Sequence, residues 1–130
     1  MAKKKAHKET IELLAGVFGE YPGYLLVEYL KDGACLQATV EGETFSLEKA
    51  DGVLTISAEE LESPDITVEL NREACEYLAA SEELEDFVTR TRECINGDHD
   101  NCLMSYEINA GVTRMLMKGY LDFSRKMGLI

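Results

Sequence analysis

The feature that most constrains this chain is a region of two-residue alternation, residues 34–70, between segments with helical periodicity. The alternating segments are residues 34–41, 44–48, 53–56 and 65–70. In the first of them Leu36, Ala38 and Val40 alternate with polar or smaller side chains. Asp51-Gly52, between the second and third, is a strong hairpin signal. We therefore expect four short strands with one partly exposed face, joined as an antiparallel meander.

Apolar residues recur at helical spacing before this region. The spacing predicts a helix over residues 8–19 and a short apolar helix over 24–30. Tyr21-Pro22-Gly23 separates them, because proline and glycine interrupt regular structure.

The helical period returns after the alternating region. Residues 71–95 are predicted to form two helices, with Asn71 as the N-cap of the first and Ser81 as the start signal of the second. Residues 102–108 are the candidate fifth strand. The apolar stripe over 110–128 predicts one long helix, and Gly119 within it predicts a close approach to the backbone.

These elements define the fold class that we expect. It is α+β, with a five-stranded, mainly antiparallel sheet, helices packed on one face, and helices at both termini. A length of 130 residues suits one domain. Residues 1–7, which include Lys3, Lys4 and Lys5, are predicted to be a flexible basic tail, and residues 8–130 a single domain.

The charge balance limits the classes of partner. The chain has 13 Lys and Arg against 25 Asp and Glu, a formal net charge of −12. Nucleic acid is not an expected partner, because affinity for phosphate backbones comes largely from Lys and Arg. No apolar run approaches the ~18 residues of a membrane span, and the N-terminus lacks the apolar core of a signal peptide. We therefore expect no integral membrane association, a cytoplasmic location, and free thiols at the four cysteines.

One loop contains residue types that suit a metal. Cys94, Asp98, His99, Asp100 and Cys102 lie close in sequence, but structural zinc sites usually pair ligands at CxxC or HxxxH spacings. A polar surface loop is the preferred interpretation. No nucleophile elbow, phosphate-binding glycine loop or dinucleotide-binding motif is present in the sequence. We therefore expect no enzyme activity, no metal and no cofactor.

An apolar ligand site is the remaining possibility. The C-terminal stripe contains Met115, Leu116, Tyr120, Phe123 and Met127, and the chain has no tryptophan. Methionine side chains are flexible and suit an adaptable pocket. A packed core gives the same pattern, and from the residues alone that simpler interpretation is favoured.

The order of elements resembles that of the sterol carrier protein type 2-like (SCP2-like) lipid-binding domains. The matching segments are LQATV and EGETFSLEKADGVLTI, the PDITVEL strand, and LMSYEINAGVTRMLMKGYLDFSRKMGLI. The resemblance spans about residues 8–130. It implies a C-terminal helix across a hydrophobic cavity and non-catalytic carriage of a fatty-acyl or other lipid-like molecule.

The resemblance also suggests which side chains would form the cavity walls. We choose four on the sheet, whose face follows from alternation, and four from the apolar stripe of the last helix: Phe45, Leu47, Leu54, Ile56, Met115, Leu116, Tyr120 and Phe123. The alternative is a protein-interaction or homodimerisation module, in which the same side chains are core or interface and no cavity exists. A third hypothesis is an enzyme with Cys94, His99 and Cys102 on a metal.

Overall fold

The structure, a computed structural model, describes residues 2–127. Side chains are described in that range except at residues 2–7, 112, 114, 116, 121, 123, 124 and 127. The helices are α1 (Ala2–Phe18), α2 (Tyr24–Val27), α3 (Arg72–Ala79), α4 (Leu84–Asn96), α5 (Val112–Met117) and α6 (Tyr120–Met127). The strands are β1 (Cys35–Val40), β2 (Glu43–Ala50), β3 (Val53–Ser57), β4 (Ile66–Leu70) and β5 (Met104–Ile108).

The first three strands form the predicted antiparallel meander. The strands β1 and β2 are joined by Glu41 and Gly42, and β2 and β3 by Asp51 and Gly52. All four linking residues have positive φ, between 49° and 86°. Two consecutive residues with positive φ make a type I′ turn, whose twist matches that of the flanking strands. The hairpin predicted at Asp51-Gly52 is confirmed.

The fourth strand departs from the predicted meander. The sheet order is β3-β2-β1-β4-β5, and β4 pairs with β1 in parallel, with Leu36 opposite Ile66. The connection from β3 crosses the sheet on the side away from the helices, where the Leu61 N–H donates to the Gln37 side-chain oxygen at 3.0 Å. Placing β4 in an antiparallel meander was wrong, because side-chain alternation is the same in either strand direction. The sheet is mixed, with β1–β4 parallel and the other pairings antiparallel.

The two faces of the sheet differ in polarity, which places the helices. The face that contacts them is apolar and includes Leu36, Ala38, Phe45, Leu47, Ile66 and Leu70, all buried. The opposite face presents polar side chains, including Gln37, Thr39, Thr44, Ser46 and Thr67. The α+β class with helices on one face of a five-stranded sheet is confirmed.

Two helices follow β4, as predicted. Asn71 is the N-cap of α3, and its side-chain oxygen accepts a hydrogen bond from the Ala74 N–H at 3.0 Å. The helix α4 begins at Leu84 with Glu83 as its N-cap, so Ser81 precedes the helix instead of capping it. Gly97 ends α4 in the left-handed conformation, at φ 73°.

The C-terminal region is two helices instead of the single predicted one. Gly119 separates α5 from α6 with φ +84°, a conformation that continues no right-handed helix. A Cβ at this position would collide with the carbonyl oxygen of Tyr29, so the predicted close approach is confirmed. The Lys31 N–H also donates to the Lys118 carbonyl at 2.9 Å. The regular apolar stripe hid the break, because Tyr120 continues the periodicity on the far side of it.

Candidate functional site

An apolar cavity lies between the sheet and the helices packed on it. The helices α1 to α4 line it with apolar side chains and one hydroxyl: Phe18, Leu26, Val27, Leu78, Phe87, Thr91 and Ile95. The last three lie on α4 at intervals of four residues, which places them on a single side of that helix. The Thr91 hydroxyl donates to the Phe87 carbonyl at 2.9 Å, so its polar atom is satisfied within the helix.

The helix-facing side of the sheet forms the other wall. The strands β1 to β4 contribute Leu36, Ala38, Leu47, Leu54, Ile66 and Val68. Among the residues described at the cavity, none is charged. The cavity has a volume of about 60 Å³. Pockets that hold drug-sized ligands have roughly 300–1,000 Å³, so this cavity must widen before it can enclose a whole lipid chain.

The edge strand β5 forms the outer wall of the cavity through Met104, Tyr106 and Ile108. Tyr106 is 39% exposed and Ile108 48% exposed, although both face the helix side of the sheet. Large apolar side chains that line a cavity and also meet solvent mark its mouth. Their incomplete packing leaves them room to change rotamer, which gives the cavity a place to open.

The four predicted sheet residues lie on one face but at different depths. Leu47 and Leu54 line the cavity. Phe45 is fully buried in the core, and Ile56 is partly buried and packs against that core. The structure therefore brings all four to the helix-facing side of the sheet. Their role as ligand walls stays a prediction.

The four predicted residues from the C-terminal helices are less alike. Met115, on α5, is partly buried and packs against the core. Tyr120, on α6, is fully buried with its hydroxyl in a polar cluster. Leu116 and Phe123 lie outside the described side chains. Their assignment as walls also stays a prediction.

Several cavity residues were not predicted from the sequence, and two signals pointed to them. Phe87, Thr91 and Ile95 repeat every four residues along α4. Ile66 and Val68 share a face of β4 in the same alternation that identified the strand. Neither signal shows which buried residues border empty space, because packed and unpacked core positions have the same residue types.

A buried polar cluster joins the C-terminal helices to the sheet. The side chain of Asp65, just before β4, is fully buried, and its Oδ2 atom accepts hydrogen bonds from Cys35, Lys118 and Tyr120. The donors are the Cys35 N–H at 3.1 Å, the Cys35 thiol at 3.6 Å, Lys118 Nζ at 3.0 Å and the Tyr120 hydroxyl at 2.9 Å. The Lys118 ammonium also forms an ion pair with this carboxylate. These bonds fix both sides of the break at Gly119.

The cluster shifts the pKa of both buried partners. Burial alone would raise the pKa of Asp65, but the hydrogen bonds from Cys35, Lys118 and Tyr120 outweigh it and hold that pKa below its ordinary value. Burial, and then the neighbouring carboxylate, raises the pKa of Tyr120. Asp65 is therefore an anion and Tyr120 a neutral donor at neutral pH, a stable structural arrangement without a free base.

The cysteine and histidine side chains near the end of α4 make packing contacts. His99 stacks on Tyr77 with ring centroids 3.9 Å apart and also lies 4.0 Å from a Glu93 carboxylate oxygen. Cys94 and Cys102 are buried. Across the part of the chain that the structure describes, no three His, Cys, Asp or Glu side chains form a group suited to a metal ion.

None of the described helices has the length and apolar character needed to cross a membrane.

The fold and the cavity together define a class: an α+β domain with an apolar pocket between a mixed sheet and the helices on one of its faces.

No protein-family model matches the chain, and no curated protein sequence matches it. A solved structure described as a UbiJ-SCP2 ubiquinone synthesis protein shares the fold, with a TM-score of 0.54 and 12% sequence identity. The match covers 98% of this chain and 99% of that chain. The domain therefore has the SCP2-like fold, as the resemblance in sequence pattern implied. A structural match at this low sequence identity shows the fold alone.

Proposed function

We propose that this domain binds a lipid-like apolar molecule non-covalently in the cavity between the sheet and the helices. The observation that carries the proposal is a predominantly apolar lining, without a charged side chain among its described residues, that reaches solvent at Tyr106 and Ile108. A closed core has no need of such an opening. The SCP2-like fold supports the proposal, because it is the fold that the sequence resemblance connects with lipid binding.

Binding in this cavity requires no catalytic group. Each methylene that leaves water contributes about 0.8 kcal/mol, so a chain of several methylenes can offset the work of widening the cavity. The opening movement falls on the mouth, where Tyr106 and Ile108 are only partly packed. The inner wall at Phe87 and Leu78 is fully packed and stays in place.

Two tryptophan variants test the proposal, because the chain has no tryptophan of its own. In Leu54→Trp an indole fills part of the cavity and also reports on its environment. In Val53→Trp the indole lies on the opposite face of the same strand, at a position that is 61% exposed. This variant is the matched control.

Each variant is titrated with N-phenylnaphthylamine, a neutral apolar dye whose fluorescence rises in apolar surroundings. We expect Leu54→Trp to weaken dye binding by at least about tenfold, a loss of roughly 1.4 kcal/mol. We expect Val53→Trp to bind the dye as the unmodified chain does. Equal affinities in both variants would place the dye outside the cavity and contradict the proposal.

Native mass spectrometry of the freshly purified protein gives an independent measurement. An added mass that is lost on denaturation would show a retained ligand and begin to identify it. A bare dimer without dye binding would favour the interaction module.

A further inference from the structure

We infer that the cavity selects uncharged lipids and discriminates against those with a carboxylate or phosphate headgroup. This inference rests on the proposed function, since it specifies the ligand class of the same cavity. Three observations carry it: the lining, the engagement of two cations near the cavity, and the charge of the whole chain.

The described residues of the lining include no charged group that could neutralise an anion. Its described residues are apolar apart from Thr91, the phenol of Tyr106 and Gln37, whose side chain lies on the opposite face of the sheet. Gln37 and Thr91 already take part in the hydrogen bonds to Leu61 and Phe87 described above. A carboxylate moved from water into such surroundings loses its hydration without gaining an ion pair. A hydroxyl, ester or quinone oxygen loses far less.

Among the side chains that the structure describes, two lysines lie on or near the helix-facing side of the sheet, and both form hydrogen bonds within the protein. Lys118 binds the Asp65 carboxylate at 3.0 Å. Lys49 is buried opposite Leu54, and its Nζ donates to the Val27 carbonyl at 2.9 Å. Lys49 is on β2, three strand spacings from β5 at the mouth, which corresponds to about 14 Å. A headgroup held at the mouth would therefore not reach it.

The overall charge acts in the same direction. A formal net charge of −12 lowers the local concentration of anions around the whole molecule. A neutral lipid experiences no such repulsion, so its binding free energy keeps the whole contribution of the apolar contacts in the cavity.

The test compares two ligands with the same chain length, 1-tetradecanol and myristate, in displacing N-phenylnaphthylamine. At about pH 8 the fatty acid is ionised and the alcohol is not. We expect tetradecanol to displace the dye at a concentration at least about tenfold lower than myristate, because only the carboxylate has a large desolvation cost. Displacement that persists in Leu54→Trp is treated as nonspecific and subtracted.

A pair of lysine variants then locates the source of the selectivity. Tyr106→Lys puts a cation at the mouth, whereas Ser105→Lys puts the same charge on the opposite face of the same strand. Both sites are exposed, and both substitutions change the net charge equally. We expect Tyr106→Lys to improve myristate binding several-fold with little effect on tetradecanol. We expect Ser105→Lys to leave the difference between the two ligands as it was.

The outcomes separate this inference from the proposed function. Myristate binding as tightly as tetradecanol, or more tightly, would overturn the inference and leave lipid binding standing. If Lys49→Met then weakened myristate binding without affecting tetradecanol, the headgroup would be bound deep in the protein at Lys49. Equal effects of the two lysine variants would show that the mouth does not set the selectivity and would also overturn the inference. Failure of both ligands and the dye would remove the proposed function itself.

Discussion

The hydroxyl of Tyr120 donates a 2.9 Å hydrogen bond to the buried Oδ2 atom of Asp65, 55 residues earlier in the chain. Lys118 reaches the same oxygen at 3.0 Å from the other side of Gly119. The two donors come from opposite sides of a helix break, so one carboxylate fixes the geometry of that break. It also anchors the C-terminal helices at the start of β4.

Removing the charge of Asp65 should destabilise the domain. In Asp65→Asn the amide cannot accept from Lys118, Tyr120 and Cys35 as the carboxylate does, and the ammonium loses its ion pair. We expect the free energy of unfolding to fall by about 2–3 kcal/mol, measured by urea denaturation. Asp100→Asn, at an exposed loop position, is the control and should change it by less than about 0.5 kcal/mol. Equal effects of the two variants would contradict the anchoring role.

The same carboxylate should make stability depend on pH in the acid range. The pKa of Asp65 is lowered in the folded protein from a reference value of 3.8. Its contribution is therefore complete above that reference value and is lost as the pH falls through the lower folded-state pKa. The difference in unfolding free energy between the unmodified chain and Asp65→Asn should be constant near neutral pH and shrink in acid. A difference that grew on acidification would have the wrong sign.

Gly119→Ala should destabilise the junction of α5 and α6. The substitution combines a left-handed backbone conformation, which costs about 1–2 kcal/mol for a residue with a Cβ, with a collision against the Tyr29 carbonyl. We expect a total loss above about 2 kcal/mol in thermal or urea unfolding. Gly111→Ala is the matched control, because a Cβ there meets nothing within 4 Å. Similar losses in both variants would show that the close approach is not the cause.

The cysteines should differ in their reactivity toward a thiol reagent. Burial raises the pKa of Cys75 and of Cys94 to about 12, and it also raises that of Cys102. Because the thiolate is the reactive form, these three should be labelled by Ellman's reagent only after unfolding. Cys35 is partly exposed and should react first in the native protein. Cys35→Ser should then abolish the early phase, and an early phase that persisted would contradict this order.

Most of the elements could be predicted because their signals are local. The turn at Asp51-Gly52 and the cap at Asn71 each depend on neighbouring residues only. The pairing of β4 with β1 depends on a choice between two sheet edges that alternation does not encode. Crossing back beneath β1 lets Asp65 meet Cys35, a contact between residues 30 positions apart.

The candidate site was less predictable, because it too depends on contacts between residues that are far apart in the sequence. Leu47 and Leu54 could be chosen from alternation, because facing the helices is a property of strand register. Tyr120 carried an apolar signal in the stripe, but its hydroxyl is directed to Asp65 instead of to a ligand. No pattern near Asp65 identifies its cation, because Lys118 lies 53 residues away.

The parallel pairing of β4 with β1 also sets an order of assembly. Asp65 is drawn into the protein when β4 takes its place beside β1, yet the donors Lys118 and Tyr120 come more than 50 residues later in the chain. A growing polypeptide that has not reached these residues can form the β1–β2–β3 hairpins but would leave the carboxylate without its cation. We therefore expect the buried cluster around Asp65 to close only after Lys118 and Tyr120 have been synthesised.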